Sequence, residues 1–242
     1  MELVELDTVS VALGLGISEH VAIVGGGGKT TILHALGRQL KGSVVMTTTT
    51  KMGHDQAGGR PLLLDPDPAK VLSAAHKAAI SPMDPGPIMV WSAIEGQKAV
   101  GVQPEDCDQW FRLVDSVVIE ADGSRRRPFK APAPYEPVVP LTATTMISVI
   151  GAPAIGGVIA EVCHRPSRAA SIIGTTPSAR LTPKRAAQLL LDDRGPIKEL
   201  PDGARYVIVA TQVRSQSAFA DVSAVNAHLQ RLLPETLMIG VR

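Results

Sequence analysis

At 242 residues, 45% hydrophobic and 19% charged, the chain can bury a substantial core and shows no sign of wholesale disorder. A formal net charge of +1 lacks the basic excess that non-specific nucleic-acid binding needs, and an aromatic share of 3% leaves few faces on which single-stranded bases could stack. Cys107 and Cys163 stand far apart with no CxxC pattern, which argues for reduced thiols and against a zinc knuckle or disulfide framework.

In chain order, the N-terminal MELVELDTVS is acidic, and no Lys or Arg precedes Lys29, the reverse of a secretory signal. A cytoplasmic protein is expected. The first predicted strand is the β-branched run Val21 to Val24, followed by four glycines and a helical pattern with Ile32, Leu33, Leu36 and Leu40 on one face. Ser43 to Met46 then makes a right-handed βαβ crossover natural. Further strands are predicted at Leu62 to Leu64, Ile88 to Ala93, Val117 to Ala121, Met146 to Ile150, Tyr206 to Ala210 and Leu237 to Val241. Helices are predicted over Pro68 to Ile80 with Asp67 as cap, Glu105 to Leu113, from Thr182–Pro183 to the stop at Gly195 and Pro196, and Phe219 to Leu233.

This alternation predicts an α/β fold with a mostly parallel, doubly wound sheet and helices on both faces, carried by one domain over residues 1–242. Pro137 to Ala160 carries no charge, but its prolines and glycines favour a core strand with turns over a membrane span, so no membrane partner is expected. The segment 123–140, GSRRRPFKAPAPYEPVVP, combines five prolines with the densest positive charge, and is expected to be an extended functional loop inside the sheet. His54 and His76 lack a second metal ligand at suitable spacing and are expected at the surface.

A phosphate can be surrounded by backbone N–H groups only where side chains do not intrude, and Gly25, Gly26, Gly27 and Gly28 allow that approach between a strand and a helix. Lys29 supplies a charge for phosphate oxygens, Thr30 a hydroxyl for Mg²⁺, and Thr31 extends the loop. The full GxxxxGK[ST] pattern lacks its first glycine, replaced by Ile23; shorter variants are similar to the loops of Mur-type ligases (GxxGKT) and MinD-like ATPases (GGxGKTT), the latter lacking its signature lysine at Val24. The strand ending in Glu120, Ala121, Asp122 and Gly123 offers two carboxylates on one side of an extended segment, fit for Mg²⁺ and for orienting a nucleophile. MTTTTKM should end its strand at the ligand crevice, where Thr49 and Lys51 are candidates for contact with a γ-phosphate or an acidic second substrate.

Taken together, VGGGGKTT, TTTTKM, VVIEADGSRRRPFKAP, YEPVVP, HRP at His164 to Pro166 and the later GxxKxLPDGAR resemble the YqeC family of selenium-dependent molybdenum hydroxylase accessory proteins. The resemblance implies a P-loop NTPase-like, three-layer fold and a role in maturing molybdenum hydroxylases, with the apo-hydroxylase or its cofactor precursor as partner. Carried over by position, Gly25 to Gly28, Lys29 and Thr30 bind nucleotide, and Glu120 and Asp122 serve Mg²⁺ and catalysis. Lys130, Glu136, His164 and Arg165 occupy family motif positions of unassigned role and, with Arg127, are candidates for a second substrate. Arg125 and Arg126 depart from the smaller or apolar residues expected there. Ala210 to Arg214 lacks the carboxylate of an NKxD-type guanine motif, so ATP is the expected nucleotide, with GTP the alternative.

Two functions follow from these residues: a Mg²⁺-dependent NTPase or phosphoryl-transfer protein, with Lys29, Glu120 and Asp122 catalytic, or a non-catalytic, nucleotide-gated docking module whose switch is the 123–140 loop. A Mur-like ligase is a third reading, weakened by a chain too short for such enzymes' additional domains.

Overall fold

The apolar run before the glycines becomes a fully buried strand near the middle of a nine-stranded sheet. The computed structural model describes residues 1–83 and 86–242. In chain order the strands are β1 (Glu2–Val4), β2 (Glu19–Gly25), β3 (Val44–Thr48), β4 (Lys51–Gly53), β5 (Leu62–Leu63), β6 (Ile88–Val90), β7 (Ala93–Glu95), β8 (Lys98–Val100), β9 (Ser116–Glu120), β10 (Phe129–Lys130), β11 (Thr145–Gly151), β12 (Cys163–His164), β13 (Arg205–Thr211) and β14 (Leu237–Val241). The helices are α1 (Val9–Ala12), α2 (Lys29–Gln39), α3 (Pro68–Ala79), α4 (Pro104–Phe111), α5 (Ile159–Val162), α6 (Pro166–Ile172), α7 (Pro183–Leu191) and α8 (Gln216–Leu232).

The main sheet has the order β1-β14-β13-β11-β2-β9-β3-β6-β5, and its pairings are parallel. From β2 the chain winds outward to β3, β5 and β6, and returns to insert β9 beside β2. It then crosses to the other side of β2 for β11, β13 and β14. This reversal opens a crevice at the carboxyl end of β2, where open α/β sheets bind ligands.

Alternate strand residues feed two cores. Val21 and Ile23 pack with Ile32, Leu33 and Leu36 of α2, whereas Ala22 and Val24 belong with Trp110 of α4, Leu190 of α7 and Val225 of α8. Helices therefore cover both faces of the sheet, as a buried parallel sheet requires.

The expected capping by Asp67 and Thr182 is present: Asp67 accepts from Ala69 and Lys70, and Thr182 from Arg185. Several boundaries differ, and α8 begins at Gln216, three residues before the expected Phe219. The run Ile88 to Ala93 divides after Val90; Ser92 donates to the carbonyls of Val100 and Gly101, and the chain resumes in a small antiparallel sheet, β4-β8-β7. α7 stops at Leu191, because Asp192 takes the N–H of Arg194 and Pro196 opens a 3-10 turn. α4 ends at Phe111, short of the expected Leu113.

Residues 137–160 hold β11 and turns, and among the described residues no helix is long and apolar enough to cross a membrane. The 123–140 segment lies between β9 and β11. Much of it is buried, and β10 within it pairs with β12.

Candidate functional site

The glycines are required by packing as much as by any ligand. Gly25, Gly27 and Gly28 have φ of 99°, 52° and 104°, values that side chains resist. A Cβ on Gly26 would lie 2.7 Å from the Arg127 carbonyl oxygen, and one on Gly27 would lie 2.6 Å from the Gly151 nitrogen. The loop is thus clasped between the 123–140 segment and the ends of β11 and β13.

This clasp uses some amides and spares others. Gly26 donates to Val149 at 2.8 Å, Gly27 to Arg127 at 3.0 Å, and Gly25 to both carboxylate oxygens of Asp122 at 3.2 and 3.1 Å. The amides of Gly28, Lys29, Thr30 and Thr31 have no partner among the described residues. They form the open N-terminus of α2, where partial positive charge accumulates.

β2 and β9 are neighbours, with Ile23 opposite Glu120, so the acidic strand end arrives beside the loop. Thr30 donates to Glu120 Oε2 at 2.8 Å. Lys29, 4% exposed, donates to the Gly25 carbonyl at 2.9 Å and lies 3.3 Å from Asp122 Oδ1 and 3.7 Å from Glu120 Oε1. The other oxygen of Asp122 is 2.9 Å from Lys130 Nζ, which also meets Glu136 Oε2 at 2.7 Å and the Gly123 carbonyl at 2.6 Å. Arg165 completes the chain with a 2.7 Å bond to Glu136. Three cations, Lys29, Lys130 and Arg165, thus alternate with three carboxylates, Glu120, Asp122 and Glu136. Burial pushes the Glu136 carboxyl up, but Lys130 and Arg165 outweigh it and hold the group below its ordinary value. Burial, then the charges of Arg165 and Lys130, lower His164 to about 4.

A cleft of about 380 Å³ opens over Gly27 to Thr31. Glu120 reaches it, and Lys51, Lys98, Arg125 and Arg126 surround it. Arg125 and Arg126 hold φ of 49° and 61°, consecutive left-handed residues of the kind that gather at ligand sites. Lys51 pairs with Glu95 at 2.8 Å.

Of the residues expected to meet a second substrate, only Lys51 lines this cleft. Thr49 bonds Val138, Arg127 donates to the Glu161 carbonyl, and Lys130 and Arg165 both bond Glu136; Lys130 is buried, with the carboxylates of Asp122 and Glu136 as its anionic partners. His164 stands beside Lys130 across the β10–β12 pair. Asp122 is buried with both oxygens engaged and does not line the cleft. His54 and His76 are exposed, as expected, and both cysteines are free and buried.

Sequence reasoning missed Lys98 and the contribution of Gln212. Lys98 arrives on the antiparallel β8, with no local signal to mark it. Gln212 follows β13, and its position after a strand end on the crevice side could have identified it. Among the described residues no group of three or more His, Cys, Asp or Glu is arranged to hold a metal.

A sequence model of the family described as YqeC protein matches residues 21–167, a span that contains the glycine loop, the acidic strand end, the Pro-rich segment and Arg165. The chain is also similar to the "Uncharacterized protein YqeC" of Escherichia coli (strain K12), at 34% identity over 211 residues covering 84% of this chain and 80% of that protein.

Proposed function

We propose a function on one premise: this chain belongs to the YqeC family. The chain is a nucleotide-binding accessory protein with a P-loop NTPase-like site, acting in the maturation of selenium-dependent molybdenum hydroxylases. One observation carries the nucleotide reading: the unpartnered amides of Gly28 to Thr31 lie at a cleft surrounded by Lys51, Lys98, Arg125 and Arg126. Amides at a helix start and converging cations suit a polyphosphate. The adjacency of β2 and β9 supports it further, because the acidic strand end then faces the same phosphates.

The donor set fits Mg²⁺. Thr30 Oγ1 and Glu120 Oε2 are hard oxygens side by side at the cleft, and Mg²⁺ prefers one or two protein oxygens together with phosphate and water. When bound, the ion neutralises charge on the phosphate oxygens. Asp122 holds Lys29 and the Gly25 amide in place and is a positioning residue. Lys29 exchanges its carboxylate partners for the terminal phosphate, the open amides bind the same group, and Arg125 and Arg126 screen the charge that develops in transfer. Glu120 accepts a proton from an attacking water or hydroxyl.

A non-catalytic, nucleotide-gated docking role is the second reading, favoured by the sharing of Asp122 between Lys29 and Lys130. Movement of Lys29 onto phosphate removes one cation from Asp122 and alters the Lys130–Glu136–Arg165 chain that anchors the 123–140 segment. Titration calorimetry with ATP and GTP, with and without Mg²⁺, together with phosphate release, separates the readings. Saturable binding is expected, and Thr30→Val should weaken it about tenfold or more in Mg²⁺ while leaving Mg²⁺-free binding unchanged. Binding without turnover selects the docking role; absence of binding with every nucleotide defeats both.

A further inference from the structure

A second cavity, of about 390 Å³, adjoins the cleft, and Gln212 lines both. Gln212 belongs to the floor of the glycine loop as well. Its Nε2 lies 3.5 Å from where a Cβ on Gly151 would stand, Gly151 packs against Gly27, and the preceding Thr211 donates to the Gly27 carbonyl. Its φ of 61° is unusual for a residue with a side chain, and the cost of such a conformation is commonly met at ligand sites.

The walls of this cavity differ from those of the cleft. Pro153 and Ile155, from the turn after β11, join Ala218 in an apolar surface. Ser217 and Asp221 stand on the same face of α8 as Ala218, at helical spacings of three and four. The side chains of Gln212 and Asp221 have no hydrogen bond or ion pair among the described residues. Arg214 and Ser215 also line it. An apolar wall faced by a few polar groups is the composition of a heterocycle site.

We propose that this cavity takes the base of the nucleotide whose phosphates occupy the cleft, and that the base is guanine, with Asp221 accepting from its pairing edge. The inference rests on the cleft being a phosphate site. An ionised carboxylate only accepts hydrogen bonds. Guanine presents two adjacent donors, N1–H and the 2-amino group, whereas adenine sets the lone pair of N1 beside its amino group and would turn it toward the negative charge. Gln212, with both a donor and an acceptor, meets the remaining polar edge. The strand end Ala210 to Arg214 lacks a carboxylate, which by itself favours ATP. The carboxylate comes instead from α8, the next helix.

Calorimetric titration of the full chain in Mg²⁺ with GTP, ITP, ATP and inorganic tripolyphosphate tests the proposal. GTP is expected to bind about a hundredfold more tightly than ATP and about tenfold more tightly than ITP, which lacks the 2-amino group. In Asp221→Asn the GTP-over-ITP advantage should vanish while tripolyphosphate binding stays unchanged. Asp221 is exposed and unpaired, so the variant keeps its fold, and its melting temperature verifies this. Equal affinity for GTP and ATP, or a GTP-over-ITP ratio untouched by Asp221→Asn, overturns the assignment. Nucleotides that bind no more tightly than tripolyphosphate overturn the base site and leave the phosphate cleft standing. Failure of tripolyphosphate and all nucleotides to bind overturns both.

Discussion

A lysine that is 1% exposed has to have its charge matched, and Lys130 meets three oxygens, from Asp122, Glu136 and Gly123. Removing one partner of a buried charge cluster leaves the others uncompensated, which costs about 3–5 kcal/mol. Lys130→Met is therefore expected to lower stability by that amount in urea unfolding, and adding Glu136→Gln should restore part of the loss. Lys130 illustrates the limit of local reading. RRRPFK looks like a solvated basic stretch, and its composition does not distinguish exposed Arg126 from buried Lys130. The placing of the glycines, Lys29 and Thr30 at the start of a helix, and of Glu120 at the end of a strand, was legible because a glycine run between two apolar periods and an acidic strand end are local signals.

The elements at the site hold one another. A Cβ on Gly26 would collide with Arg127 and Phe129, so Gly26→Ala must push the 123–140 segment off the loop. Overpacking of this kind costs about 1–3 kcal/mol. Hydrogen exchange is expected to quicken at residues 127–130 in that variant. Gly123→Ala is the control: no atom lies within 4 Å of its added Cβ, and its exchange should match the parent. Most long strands and helices were legible from periodicity and caps, as at Asp67 and Thr182. The β4-β8-β7 sheet was not, because strands of three residues are too short to carry a period, and their pairing is settled by distant contacts.

Across the whole molecule, acid should act before the carboxylates titrate. His20 is fully buried against Phe111, with ring centroids 4.8 Å apart, and burial lowers it from 6.5 to about 4 despite opposing effects of Asp108 and the Thr142 bond. The unfolded chain takes up this proton near pH 6.5 and the folded chain only near 4, so stability is full above 6.5 and falls as pH drops toward 4. The loss over that window is about 3 kcal/mol. Half-buried His164 adds a smaller part with the same sign, and the lowered Glu136 and Asp115 lose their contributions at more acid pH. Melting temperatures at pH 7.5 and 5.0 should show this decline, reduced in His20→Gln. The sequence by itself determined the parallel α/β layout, the loop before α2 and its acidic partner strand, because apolar periods, caps and glycine runs act between near neighbours. Only the tertiary structure decided which charges meet: Lys29 and Arg165 are distant in the chain from Asp122, Lys130 and Glu136, which share one segment. The sheet order that inserts β9 beside β2 brings Asp122 to Lys29, and the β10–β12 pair brings Arg165 to Glu136; burial leaves the two lysines and their carboxylates little solvent and obliges each to find an opposite partner.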